Sequence, residues 1–69
     1  MARVLLGVRG MDSEETRVRV AAALRALDGV TSVEPNVHGQ AAVDYDATEL
    51  TVMDLIRTLR RIGFLAGME

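Results

Sequence analysis

Asp12, Ser13, Glu14, Glu15 and Thr16 form a dense run of oxygen-bearing side chains, and His38 is the only imidazole in the chain. Asp12, Glu14 and His38, if brought together, would make an oxygen-rich set with one nitrogen, a donor set suited to a divalent cation. Successive helical side chains point in different directions, so Glu14 and Glu15 do not readily share one ion. Acids in the first turn of a helix are also favoured by its dipole without any metal. Ser13 and Thr16 carry hydroxyls, but a hydroxyl nucleophile needs a base beside it, and His38 would have to reach from elsewhere with no evident acid to orient it. A histidine followed by glycine, as in His38-Gly39, reads more simply as a solvated turn residue. Arg57, Arg60 and Arg61 would suit an anion or a docking partner; they equally suit a helix C-terminus, where the dipole favours cations. The chain has no cysteine, which removes thiolate catalysis, disulfides and every Cys-based zinc or haem site.

The elements that must position these residues follow from periodicity. Val4, Leu6 and Val8 alternate with Arg3, Gly7 and Arg9, the period of two of a strand with one buried face. Gly10 to Glu15 stops that strand and starts a helix, with Asp12 or Ser13 as cap and a capping box expected between Asp12 and Glu15. Thr16, Val20, Ala23, Leu24 and Leu27 fall on one helical face, and Asp28-Gly29 ends the helix. Val30, Val33 and Val37 make a looser second strand, which Pro35 assigns to a sheet edge because proline cannot donate to a ladder. His38-Gly39 turns the chain into Ala41, Val43 and Tyr45, an alternating third strand. Thr51 and Asp54 predict a second capping box, ahead of Val52, Leu55, Ile56, Leu59 and Ile62, the best amphipathic pattern in the chain. That helix ends at Gly63, and Phe64, Ala66 and Met68 form a short last strand.

Strand-helix-strand thus occurs twice, the split βαβ plan. The expected fold is α+β, a ferredoxin-like βαββαβ sandwich in which a four-stranded antiparallel sheet of order 4-1-3-2 carries two helices on one face. Crossover handedness then gathers the loop after strand one, the His38-Gly39 hairpin and the Gly63-Phe64 junction at one end. Sixty-nine residues make one domain over positions 1–69, small enough that packing or self-association must supply its stability. Apolar residues are 49% and charged residues 26%, ordinary globular usage. A net charge of -2, with arginines and acids interspersed, offers no field for nucleic acid or an anionic membrane. No apolar run is long enough for membrane insertion, and the start lacks a signal-peptide pattern, so a soluble cytoplasmic protein is expected.

Gly10-Met11-Asp12-Ser13-Glu14-Glu15-Thr16 resembles the Gly-Met-Thr-Cys-x-x-Cys loop of heavy-metal-associated domains, the modules of copper chaperones, mercury-binding proteins and metal-pumping ATPases. The resemblance continues through Leu24, Gly29-Val30, Val33, Ala42 to Asp46 and Ile62-Gly63-Phe64, the last similar to the family's Gly-Tyr beside the metal loop. Ser13 and Thr16 stand where the family has its cysteines. Met11 matches a core methionine. The resemblance implies metal-trafficking ancestry and a protein partner, either a metal-transporting ATPase or a second copy. Soft ions prefer sulfur, so the family's cargo does not carry over with its mechanism. Two expectations stand: a protein-interaction or regulatory module of a metal-handling system with no cofactor, or a divalent-metal carrier holding its ion weakly through Asp12, Ser13, Glu14, Thr16 and His38. Acylphosphatases share the βαββαβ plan and cradle phosphate in the loop after strand one. Here that loop is acidic and only Arg9 stands near, so no enzyme is expected.

Overall fold

A computed structural model describes residues 1–69. The element order is β1 (Ala2–Arg9), α1 (Glu14–Arg25), β2 (Val30–Pro35), β3 (Gln40–Tyr45), α2 (Val52–Arg61) and β4 (Leu65–Met68). The sheet runs β2-β3-β1-β4, all neighbours antiparallel. This is the expected ferredoxin-like order read from the other edge. The first strand is central because two βαβ units interleave: β1 pairs with β3 from Ala2↔Tyr45 to Gly7↔Gln40, and with β4 from Leu6↔Met68 to Arg9↔Leu65.

Alternation decides which side of each strand is dry. Leu6 and Val8 of β1 and Ala41, Val43 and Tyr45 of β3 are buried, while Arg3, Leu5 and Arg9 face out. Val20, Ala21 and Leu24 from α1 and Leu55 and Leu59 from α2 close the core, with Val33, Met11 and Phe64; no polar or charged side chain is buried. A fully buried leucine removes about 1.5–3 kcal/mol worth of apolar surface from water. No helix is long and apolar enough to cross a membrane.

Five details depart from the sequence expectation. The capping box of α1 joins Ser13 and Thr16, not Asp12 and Glu15; burial of Met11 two residues before the cap fixes where the helix begins. Helix α1 stops at Arg25, and Leu27 is held by a tighter bond from its N–H to the Leu24 carbonyl (3.1 Å). Ala21 rather than Ala23 completes the buried stripe. Val37 lies outside β2 and is 72% exposed, because the hairpin turn is built on Asn36, whose Oδ1 accepts from the N–H groups of His38 (2.8 Å) and Gln40 (3.1 Å). Phe64 precedes β4 rather than belonging to it.

Candidate functional site

The loop between β1 and α1 is shaped at both ends. Gly10 has φ +93°, a left-handed backbone that non-glycine residues rarely adopt, and a Cβ there would lie 3.4 Å from the Phe64 ring. Phe64 is placed by the end of α2, where its N–H donates to the Leu59 carbonyl (2.9 Å) and the Gly63 N–H donates to the Arg60 carbonyl (3.1 Å). That paired bonding is a Schellman cap, with Gly63 at φ +93° and Phe64 folded back on the core. Arg19 of α1 lies over the Phe64 ring, 5.6 Å from its centroid, and so ties the second turn of α1 to the same aromatic. Sequence reasoning did not single out Arg19; its spacing of one helical turn from Thr16 was the available signal.

At the tip of the loop, Ser13 and Thr16 bond to each other in every way their groups permit. The Ser13 Oγ accepts from the Thr16 N–H (3.2 Å), and the Thr16 Oγ1 accepts from the Ser13 N–H (3.0 Å). The Thr16 hydroxyl donates to the Ser13 carbonyl (2.8 Å), and the two hydroxyl oxygens lie 3.1 Å apart. Since the Thr16 proton is committed to the carbonyl, the Ser13 hydroxyl is the donor of the last bond, and both lone pairs of the Thr16 Oγ1 are used. Neither hydroxyl is held by a base, and the pair satisfies two of the orphan N–H groups at the start of α1.

The remaining candidates are dispersed. Asp12, Glu14 and Glu15 are exposed, the two glutamates lying in the first turn of α1. The exposed His38 lines an open groove of about 510 Å³ on the outer side of the sheet with Arg9, Gly7, Gly67 and Glu69, and no residue of the 12–16 loop borders it. No three His, Asp or Glu side chains are grouped so as to hold a metal ion. Arg60 and Arg61 occupy the last turn of α2 with Arg57 one turn earlier, and all three are exposed. The carboxylates that the fold does perturb are elsewhere. Asp44 is held below the ordinary aspartate range, first by the Ser32 hydroxyl (2.7 Å) and then by Arg3 (2.9 Å). Asp46 is lowered by the hydroxyl and N–H of Thr48, which cap the turn after β3.

The chain is thus a small βαββαβ module whose first loop ends in the reciprocal Ser13/Thr16 pair, backed by an aromatic from the end of its second helix. The heavy-metal-associated domain family matches residues 5–64, and the chain belongs to that family. Copper chaperone CopZ of Staphylococcus aureus is 34% identical over 65 residues, 93% of this chain and 96% of that protein. Among solved structures, oxidized MerP from Ralstonia metallidurans superposes with a TM-score of 0.94 at 25% identity, covering 99% of this chain and 96% of that one. A copper-binding domain from HMA7, a P-type ATPase, does so with a TM-score of 0.96 at 26% identity, covering 100% and 95%. Within that family this chain is a member without cysteine.

Proposed function

We propose that this chain is a docking or regulatory module of a metal-handling system, and that it binds another protein, a P-type metal ATPase by the likeness above, without holding a soft metal ion in its first loop. One observation carries the reading: the two side chains in the place of the family's thiolates are neutral hydroxyls that satisfy each other and the helix start. An ion entering there would have to displace four hydrogen bonds and would gain only weak, hard donors. The scatter of Asp12, Glu14 and His38 speaks against a divalent carrier in the same way. The hydroxyls also lack a general base, so we read the chain as non-catalytic, and we place its work in the cytoplasm.

The test is an NMR titration of the labelled chain, first with zinc, nickel, copper(I) and copper(II), then with the soluble metal-binding domain of a P-type metal ATPase. The reading expects no saturable amide shifts in residues 10–16, 37–40 and 63–65 up to millimolar ion, and saturable shifts with the protein partner. Saturation at micromolar ion in those loops would overturn it.

A further inference from the structure

The two edges of the sheet are treated differently. On β2 the Asn36 N–H donates to the Gln40 carbonyl (2.8 Å), so by alternation residues 32 and 34 face β3 while residues 33 and 35 direct their backbone outward. Each has lost one of the two groups that a new strand would need: Pro35 has no N–H, and the Val33 carbonyl accepts from the Arg25 guanidinium (2.9 Å). The strand is further distorted by a register shift between Val30 and Ser32. On β4 the Glu69 N–H donates to the Leu5 carbonyl (3.0 Å), so Leu65 and Gly67 face β1, and the N–H and C=O groups of Ala66 and Met68 face solvent. Nothing blocks them, and Met68 is 68% exposed.

We propose that β4 pairs antiparallel with β4 of a second copy of this chain, across a twofold axis through Gly67, to join two sheets into one of eight strands. Three features select that occupant and that register. First, a pairing with Gly67 opposite Gly67 sets Ala66 opposite Met68 of the second copy, which matches the outward groups to each other and forms four N–H to C=O bonds. Any register shifted by one residue would pair residues of opposite faces. Second, Met68 then stands beside Ala66 of the other copy on the helix side, a long side chain against a short one. Third, the outer side reads Arg9, Leu65, then Glu69 of the second copy across successive strands. Arg9 forms no ion pair within the chain, and Glu69 makes only an exposed bond from Gln40 Nε2 (3.2 Å). Two strand spacings, about 10 Å, lie within the joint reach of these side chains, and symmetry supplies the pair twice. The interface is small and belongs to the weak, reversible class.

Sedimentation velocity from about 20 μM to 2 mM should show mass rising toward twice 7.5 kDa. Concentration-dependent amide shifts should centre on Ala66 and Met68. Met68→Pro removes an outward donor without touching the β1 ladder, and should weaken association about tenfold or more. Arg9→Glu and Glu69→Arg should each weaken it about threefold with the single variants' circular dichroism unchanged, and the double exchange should restore it. A chain that stays monomeric at 2 mM, or a dimer indifferent to Met68→Pro and to the charge exchange, would overturn the proposal. The ATPase titration has no bearing on this outcome, so the two readings fail separately.

Discussion

The two helices begin in the same way and differ in what begins them. At α2 the Thr51 Oγ1 accepts from the Asp54 N–H (3.3 Å), while the Asp54 carboxylate accepts from the Thr51 N–H (2.9 Å) and hydroxyl (3.2 Å). A negative acceptor thus sits at the positive end of the helix. At α1 the same positions hold Ser13 and Thr16, and the acids Glu14 and Glu15 stand free beside them. A box made of two hydroxyls stands where the family has a pair of thiols three residues apart: at Ser13 oxygen takes the place of sulfur, and at Thr16 a β-methyl is added as well. Helix α2 therefore starts as a structural helix does, whereas α1 keeps the outline of a site and has turned its side chains to capping.

The largest effect should come from reversing that change. Ser13→Cys with Thr16→Cys should raise copper(I) affinity by at least about a thousandfold, read by competition with a chromophoric chelator. An unchanged affinity would mean that the α1 loop no longer has the family's geometry. Next are Leu24→Ala in α1 and Leu59→Ala in α2, both fully buried, each expected to cost about 2–5 kcal/mol in urea unfolding. Similar losses would show that both helices are held by packing, and that only their starts differ. Capping effects are smaller. Ser13→Ala and Thr51→Ala should each cost about 1 kcal/mol by the same measurement. Asp54→Ala should cost a few tenths of a kcal/mol more than Thr16→Ala, because it also removes a charge from the helix end.

The smallest effect is on acid stability, away from both helix starts. Asp44 and Asp46 have folded pKa values below the unfolded value near 3.8, so their contribution is complete only above about pH 5 and is lost as pH falls through the lowered values. Thermal unfolding between pH 2.5 and 5 should show a shallower acid limb for Asp44→Asn than for the parent chain. An unchanged limb would mean that the bonds from Ser32 and Arg3 are not kept in solution.

Most of the fold could be read from β1, β3 and α2, where apolar and polar residues alternate or recur with one clear period. The run from Val20 to Leu24 was less legible because three consecutive alanines suit any face of a helix, and only packing selects Ala21. The end of β2 was misjudged at Val37 because an apolar residue there is overridden by Pro35 and by the Asn36 side chain. At the candidate site, Ser13 and Thr16 were recognisable by position, but their reciprocal bonding was not, since Asp12 and Glu15 offer the same spacing one residue earlier. The separation of His38 from the acids was hidden because it depends on where the hairpin side chain lies across the finished sheet.

The placement of β1 also bears on how the molecule comes into being. Its residues leave the ribosome before the rest of the domain, yet they lie between β3 and β4, whose residues paired with β1 come some 33 to 62 positions later in the chain. The backbone edge of β1 at Leu5, Gly7 and Arg9 thus waits unpaired until residues 65–69 have been made, and the sheet closes only after synthesis of nearly the whole domain. Such distant pairings slow folding relative to helical proteins of equal length. During that interval the nascent strand is a segment that chaperones can recognise.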